Sequence, residues 1–343
     1  MTLLQKSILS TIAYYDALDY PLTSFEVFKY LVNPLHVASF YWNQKPRPEA
    51  FGPIEVDKFS NINLVNIRKN LESKESKEFI GEENGFYFLK GREKIIRIRI
   101  DRQKIADQKW KKAKKIIRLL EIIPYLKMVA VSGSLALNNT KEESDFDLLI
   151  TVKNKRIWLA RFFITMLIQI MGRRRHKDLT KDRICLNHYI TDKSLEIKFR
   201  SLYNAQTYAH LIPVLEIEQG IYKKFQEANK WINDYLVFFP KIEIQHSKTI
   251  RGNYFLRLIV RVLEIASCSI IGNLLEWIAK KIQEHSIKKD PLTYKKGGRI
   301  TIDNNQLEFH PDSPERRILD KYNGIMVKLG IQELSQEKDS GLL

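Results

Sequence analysis

The segment that most restricts how this chain can fold is residues 131–151, VSGSLALNNTKEESDFDLLIT. It places Gly133 and Ser134 at the end of one apolar run, and Asp145 and Asp147 at the start of the next. Because side chains alternate along a β-strand, an i, i+2 pair of aspartates lies on one face of its strand. Two carboxylates at that distance raise each other's proton affinity unless a cation screens them. The segment therefore predicts two strands that bring a tight turn and a cation site together.

Hard divalent cations suit such a pair, since Mg²⁺ is commonly held by one or two carboxylates together with substrate phosphates. Gly133 lets the backbone approach a ligand closely, and Ser134 opens the next helix, where free N–H groups attract phosphate oxygens. The expected ligands are Mg²⁺ (or Mn²⁺) and an NTP whose triphosphate lies between the helix start and the aspartates. Two-metal transfer of a nucleotidyl group to a hydroxyl requires this arrangement.

The same residues resemble a known superfamily. The apolar strand, the Gly-Ser step, the ten residues 135–144 and then the run SDFDLLI are similar to the DNA polymerase beta-like nucleotidyltransferases, which include poly(A) polymerases, tRNA CCA-adding enzymes and antibiotic nucleotidyltransferases. The chain also resembles uncharacterised bacterial and archaeal proteins that carry this domain behind a winged helix. The resemblance implies that Asp145 and Asp147 are catalytic and bind the metal. It also implies that Gly133, Ser134 and Asn187 bind the substrate.

One position departs from that pattern. Active members of the superfamily carry a third carboxylate on a later strand, but the matching strand ICLNHYI has Asn187 at its centre. Asp182 and Glu196 are the two candidate substitutes. Since an amide holds a metal less well than a carboxylate does, slow or absent catalysis is an open alternative. The protein is then a nucleotide-sensing or DNA-binding regulator that keeps the domain without its full chemistry.

Charge favours a polyanionic partner. Lys and Arg outnumber Asp and Glu by 57 to 40, a net charge of +17. Thirteen of the basic residues fall between Lys90 and Arg118 against three acids, and a second cluster occupies residues 172–183. RNA, DNA or nucleotide phosphate is the natural counterpart of such clusters, although the charge also keeps a protein soluble. A run of three arginines, Arg173 to Arg175, follows a predicted helix end, where the helix dipole favours cations. Contact with phosphate is the alternative role for this run.

The order of predicted elements indicates an α+β protein in four parts. These are a winged-helix-like domain at 1–90, a basic connecting helix at 91–124, a nucleotidyltransferase-like sheet domain at 125–240 and a mainly helical region at 241–343. The patterns predict strands at 127–132, 146–152, 184–190 and 195–199, helices at 155–171 and 202–216, and a hairpin over RITIDNNQLEFHP. Sheet and helices alternate as in other layered α and β domains.

The first part combines three helices, a Thr23–Glu26 capping box, a Pro-rich loop at 43–54 and a hairpin around Gly-Glu-Glu-Asn-Gly. Glutamates crowd its third helix and hairpin and would repel phosphate, so DNA reading and packing against another domain both stay open. In the later part, His188 is expected in the core and His310 in a local turn.

Cys185 and Cys268 show neither metal-ligand nor disulfide spacing, and the N-terminal residues do not resemble an export signal, so a cytoplasmic protein is expected. The apolar runs at 157–171 and 254–279 are interrupted by charges and shorter than a bilayer span requires, which favours buried helices. A long helix over 253–289 also leaves open a structural role as the partner of another chain. The oligomeric state cannot be inferred from these patterns.

Overall fold

The computed structural model describes residues 1–39, 62–176, 179–240, 246–266, 270–294, 298–311, 313–331 and 337–339. Helices and sheet are mixed along the chain, as the α+β prediction requires. Three elements were predicted nearly to their bounds, because strong apolar periodicity marks them: β4 (Leu126–Val131), β5 (Phe146–Val152) and α8 (Ile157–Ile170).

The described residues of the N-terminal part form five helices and three strands. They are α1 (Leu3–Asp16), β1 (Leu22–Thr23), α2 (Ser24–Lys29), α3 (Pro34–Ser39), α4 (Leu64–Leu71), α5 (Lys74–Lys77), β2 (Ile80–Glu83) and β3 (Phe86–Leu89). The strands form one antiparallel sheet in the order β1-β3-β2. The predicted capping box is present, since the Thr23 hydroxyl accepts from the Glu26 backbone and the Glu26 carboxylate accepts in return. The predicted loop at 43–54 lies outside the described residues, and the winged-helix assignment stays a prediction.

The basic connecting segment is one uninterrupted helix, α6 (Lys94–Leu119), followed by a 3-10 turn at Leu120–Ile122. Ala106, Trp110, Ala113 and Ile117 recur at helical spacing and are all buried. Helix α6 therefore packs along the central sheet with its charged side outward.

The central sheet has six strands in the order β7-β4-β5-β6-β9-β8, with β6 at Ile184–Thr191 and β7 at Ile212–Glu216. Only the β5–β6 pair is parallel among the strand pairs of this described sheet. Helix α8 makes the crossover between them, as parallel neighbours require. Alternate residues of β4 and β5 enter two different cores, with Met128 and Leu149 on one face and Val129 and Ile150 on the other.

Two predicted elements differ in the structure. The helix predicted over 202–216 ends early, so that α9 is Leu202–Ala209 and the run after it is strand β7. Pro213 is compatible with β7 because this strand lies at the edge of the sheet. The strand predicted at 195–199 does not form. Its backbone is bonded by the Asn229 side chain, which accepts from Ile197 N at 2.8 Å and donates to Leu195 O at 2.9 Å.

The C-terminal part follows α10 (Ile221–Ala228) and contains α11 (Tyr254–Ala266), α12 (Ile270–Lys289), β8 (Arg299–Ile302), β9 (Gln306–His310) and α13 (Glu315–Lys328). The predicted hairpin is present, and β9 pairs antiparallel with β6. The C-terminal strands thus complete the sheet that carries the aspartates. The four-part division of the chain stays a prediction.

The long helix predicted over 253–289 is two helices that meet at a bend of 93°. The prediction that the apolar run within it is buried is wrong, because Phe255 and Ile270 are 76% and 86% exposed. Helix α8 is buried along Ile157, Trp158 and Ile164 but leaves Ile170 exposed. Among the described residues, no single helix is long and apolar enough to cross a bilayer, whereas the bent pair taken together meets that length and composition.

Candidate active site

The two aspartates lie at the start of β5, with Asp145 just before the strand and Asp147 inside it. Their carboxylates and the Cys185 thiol each offer an atom within 4.8 Å of the others. Cys185 stands opposite Asp147 on the parallel strand β6. Strand alternation thus brings the acidic pair onto one face, as the spacing predicted.

The Gly-Ser turn meets the acidic pair directly. Ser132 N donates to Asp147 O at 3.0 Å, and Gly133 then turns the chain with a φ of +63°. A Cβ atom at Gly133 would lie 2.5 Å from Asp147 Oδ2, a separation that real Cβ atoms essentially never show. Glycine is therefore required here both by the left-handed backbone and by the carboxylate that packs against it. Ser134 follows in the four-residue helix α7 (Gly133–Ala136) and is half-buried.

The electrostatics of the pair are those of two crowded acids. The pKa of Asp147 is raised to about 7, first by loss of hydration and then by the Asp145 carboxylate, while Arg175 and a hydrogen bond from Asn187 oppose the rise. Burial also raises the pKa of the Cys185 thiol. Burial thus disfavours ionisation of both the Asp147 carboxylate and the Cys185 thiol, and a cation at the site would favour the ionised carboxylates.

A guanidinium group occupies the cation position. Arg175 Nη1 donates to Asp145 Oδ2 at 2.7 Å and also reaches Cys185 Sγ at 3.5 Å. The loop that carries Arg175 is tied to β6, since Arg175 N donates to Ile184 O at 3.1 Å. Sequence reasoning named this arginine only as a helix-end or phosphate-binding residue and missed its contact with the aspartates. A basic cluster directly before the strand that pairs with β5 was the available signal.

Asn187 lies beside the pair, and its side chain is hydrogen-bonded to Asp147. Its amide nitrogen is also 3.2 Å from His310 Nδ1. The amide therefore stands beside the acidic pair, at the position where the sequence analysis expected a third carboxylate. In this structure Asn187 stabilises the ionised form of Asp147, because a donor to a carboxylate lowers its pKa.

Neither candidate substitute for the third carboxylate reaches the site. Asp182 is bound by Lys109 Nζ at 2.9 Å and Lys112 Nζ at 2.5 Å, and these hydrogen bonds lower its pKa against the effect of burial. Glu196 is 53% exposed and pairs with Arg200 at 2.5 Å. Both carboxylates are thus already paired elsewhere, and the acidic pair keeps an amide as its third neighbour.

A second polar cluster adjoins Asn187 in the interior. His188, Glu308 and His310 each offer an atom within 4.8 Å of the others, and the pairing of β6 with β9 sets His188 opposite Glu308. Glu308 is fully buried, and burial raises its pKa to about 7 although Arg299 lies 3.6 Å away. Within the described part of the chain, Glu308 Oε1 has no hydrogen-bond partner. The side chains of this cluster are of types that bind cations. The cluster also contacts Asn187, through His310.

The two histidines had different outcomes. His188 is buried and 3.0 Å from the Tyr208 hydroxyl, in agreement with the core role predicted for it. His310 was expected in a local turn, and that expectation is wrong because it is the last residue of β9 and contacts Asn187. The alternation in QLEFH was the signal that placed Glu308 and His310 on one face. The alternation did not indicate which strand would pair with this segment and bring Glu308 and His310 next to His188 and Asn187.

Part of the predicted polyanion surface is used inside the protein. Lys109 is buried and donates to Ser144 O at 2.7 Å, which fixes the backbone just before Asp145. Arg99 binds the Glu26 carboxylate at 2.7 Å. The basic residues of α6 that stay exposed to solvent are Lys94, Arg97, Lys104, Lys111, Lys112, Lys115 and Arg118. A nucleic-acid contact along this helix stays a prediction.

Comparison with known proteins agrees with this geometry. The family model described as the nucleotidyltransferase domain matches residues 111–248, which include α6 from its second half, the Gly-Ser turn, the acidic pair and strands β4 to β7. Neither the curated proteins nor the solved structures give a significant match.

Proposed function

We propose that this chain, whose residues 111–248 form a nucleotidyltransferase domain of the polymerase beta-like superfamily, transfers NMP from an NTP to a hydroxyl acceptor at the acidic pair. NMP transfer is the general chemistry of nucleotidyltransferase domains. The observation that carries it is the contact between the turn and the acid, where a Gly133 Cβ would lie 2.5 Å from Asp147 Oδ2.

The acidic pair fits a hard divalent cation. Asp145 and Asp147 supply oxygen ligands, and because burial and the Asp145 carboxylate raise the pKa of Asp147 to about 7, a divalent cation would stabilise the ionised form of the pair. Arg175 holds the place of a cation at 2.7 Å from Asp145 Oδ2. Mg²⁺ or Mn²⁺ would be held by Asp145 and Asp147, and when bound it supplies charge neutralisation of the triphosphate and activation of the acceptor hydroxyl.

Residues of the chain itself would bind the triphosphate and orient the aspartates. The backbone at Gly133 and Ser134 binds phosphate oxygens, and Arg175 leaves Asp145 to contact the triphosphate. During transfer the acceptor oxygen forms a bond to the α-phosphorus, and the bond from that phosphorus to the bridging oxygen breaks. Pyrophosphate leaves, and the hydroxyl proton passes to water. Asn187 orients Asp147 through the hydrogen bond between them.

The acceptor is an RNA end, a protein side chain or a small molecule. Exposed lysines along α6 favour a nucleic acid, because each phosphate contact adds a salt-dependent contribution to binding. Binding of RNA or DNA is thus predicted to weaken steeply as the salt concentration rises. The cytoplasmic location and the winged-helix assignment stay predictions.

A second candidate function is a nucleotide-sensing or DNA-binding regulator without turnover. Asn187 in the third position favours it, since an amide cannot replace a carboxylate charge beside a metal. Arg175 on Asp145 favours it as well, because release of that ion pair has to accompany metal binding. The two functions share the nucleotide site and differ in whether pyrophosphate is formed.

Labelled NTPs with Mg²⁺ or Mn²⁺, offered together with bulk tRNA or with small hydroxyl acceptors, test the proposal. Incorporation is expected for the wild type and for Glu196→Gln, which changes an exposed acid outside the site. It is expected to fall by about a hundredfold or more for Asp145→Ala, as is common when a catalytic electrostatic group is removed. Equal incorporation by wild type and Asp145→Ala would defeat the assignment. Nucleotide binding without pyrophosphate release would favour the regulator.

A further inference from the structure

Helices α11 and α12 turn their apolar side chains toward solvent. The apolar side chains between 38% and 86% exposed are Tyr254, Phe255, Leu258, Ile259, Val262, Leu263, Ile265, Ile270, Ile271, Leu274, Leu275, Trp277, Ile278 and Ile282. They recur at helical spacing, so each helix presents one continuous apolar face. We refer to these side chains together as the outer apolar face. Exposed apolar surface of this extent marks an interaction site.

The polar side of α11 is the side that packs against the protein. Glu264 Oε1 accepts from Tyr125 N at 2.6 Å, and Arg257 donates to Glu121 O at 3.1 Å. The Asn253 backbone N–H, just before the helix, donates to the Glu121 carboxylate. These partly buried hydrogen bonds fix the rotation of α11 about its axis. The apolar side cannot turn inward without breaking them.

Helix α12 is oriented in the same way. Glu276 accepts from the backbone N–H groups of Trp158 and Leu159 at 3.0 and 2.9 Å, and so caps the start of α8. Gln283 is buried and donates to Trp158 O at 2.7 Å. Two successive helices thus dock through polar groups and leave their apolar faces outside, the reverse of a helix on an aqueous surface.

Charge indicates what covers the outer apolar face. The acids of the two helices are directed inward, with Glu264 and Glu284 only 16% and 22% exposed and Glu276 bound to α8. In contrast, Arg261, Lys281, Lys288 and Lys289 are exposed. The surface around the apolar face is therefore cationic, as on helices that lie at the surface of an anionic membrane.

An open cleft of about 770 Å³ lies beside α11. Four cations, Lys127, Lys153, Arg257 and Arg261, line it together with two acids, Glu218 and Glu264. Lys127 pairs with Glu218 at 2.8 Å and Arg257 lies 3.9 Å from Glu264, so the excess positive charge of the lining is that of Lys153 and Arg261. Its apolar wall is formed by residues of the outer face, Tyr254, Leu258 and Ile265. A cationic cleft next to an apolar helix face matches an anionic lipid, with its headgroup in the cleft and its chains against the helix.

We propose that the outer apolar face lies on an anionic lipid bilayer, with α11 and α12 in the interfacial plane. Helix α11 has 13 residues, too few to reach across a bilayer of about 30 Å at about 1.5 Å per residue. Helix α12 has 20 residues, but its Glu276 and Gln283 are bound to α8, so it lies along the protein at 93° to α11. A second copy of the chain is a poorer occupant, because two chains of net charge +17 repel each other. This membrane contact is independent of the proposed transferase activity.

Co-sedimentation of the full chain with vesicles tests the proposal. Vesicles of phosphatidylcholine with an equal part of phosphatidylglycerol are expected to pellet the protein at least about tenfold better than phosphatidylcholine alone, with the difference reduced at high salt. The variant Phe255→Glu with Ile259→Glu, at positions 76% and 60% exposed, is expected to lose that binding. Val65→Glu is the matched control, because Val65 is 73% exposed on α4 and outside the face.

A second measurement uses the wild-type face, so that a double variant that fails to fold does not decide the test. Fluorescence of the protein is expected to shift to the blue with anionic vesicles, and Trp277→Phe is expected to remove most of that shift because Trp277 is 57% exposed on α12. Equal pelleting with both kinds of vesicle overturns the charge argument. No pelleting with either overturns the proposal. A concentration-dependent dimer that the double variant abolishes, without vesicle binding, would assign the face to a second copy instead.

Discussion

The substitution Gly133→Ala tests the central contact of the site. At Gly133 a Cβ meets two separate penalties. The φ of +63° costs an alanine about 1 to 2 kcal/mol, as any L side chain pays in the left-handed region. The Cβ also lies 2.5 Å from Asp147 Oδ2, so the carboxylate has to move by several tenths of an ångström or more to reach ordinary contact.

A control separates the two penalties. Gly330 has a φ of +67°, and a Cβ there meets nothing within 4 Å. Gly330→Ala therefore bears the backbone penalty of about 1 to 2 kcal/mol without a contact to the acidic pair. Urea unfolding is expected to show a loss of that size for Gly330→Ala and at least as large a loss for Gly133→Ala.

The functional readouts are expected to differ. Calorimetric titration with Mn²⁺, with and without NTP, and NMP incorporation should be unchanged in Gly330→Ala. In Gly133→Ala, displacement of the Asp147 carboxylate is expected to weaken metal binding and transfer by about tenfold to a hundredfold, the loss common when a site group is misplaced by about 1 Å. Equal metal binding and transfer in the two variants, both folded, would refute the reasoning that the turn and the acid form one site.

Three further predictions follow from the same geometry. Arg175→Ala is expected to raise Mn²⁺ affinity in the absence of nucleotide, measured by electron paramagnetic resonance, because the guanidinium 2.7 Å from Asp145 Oδ2 no longer competes; unchanged affinity would mean that the ion pair does not guard the site. Because the pKa of Asp147 is raised to about 7, the native metal-free protein binds a proton that the unfolded chain has lost, and its free energy of unfolding is expected to fall as the pH rises from about 4 to above 7. Urea unfolding at pH 5 and pH 8 measures this fall. Asp147→Asn should remove the pH dependence. Asn187→Asp is expected to raise NMP incorporation with Mg²⁺ by supplying a third carboxylate; a fall in incorporation by the folded variant would show that the amide is required as it stands.

Local patterns were enough to predict the parts of the site that lie on one element. The alternation in DFDLLIT predicted strand β5 and the shared face of Asp145 and Asp147, because a strand's period of two is set by its own backbone. The Thr23–Glu26 capping box was predictable for the same reason, since both of its hydrogen bonds lie within four residues. The Gly-Ser step followed from the steric freedom of one residue.

Predictions failed where a distant group decided the structure. The run at 195–199 alternates like a strand, but the Asn229 side chain satisfies its backbone instead of a neighbouring strand. The segment at 212–216 continues a helical apolar spacing, yet β4 offers an open edge to which it pairs as β7. Secondary-structure propensity within a short segment is overridden by such distant partners, because each buried backbone N–H or C=O group has to form a hydrogen bond with a neighbouring group.

The amino-acid sequence by itself determined strands β4 and β5, the Gly-Ser turn between them and the shared face of Asp145 and Asp147, because each depends on covalent spacing and backbone period. Only the tertiary structure decided that Arg175 binds Asp145, that His310 reaches Asn187 and that the apolar side of α11 faces outward. The physical reason is that periodicity tells which side chains share a face, whereas the partner of that face depends on how distant segments pack.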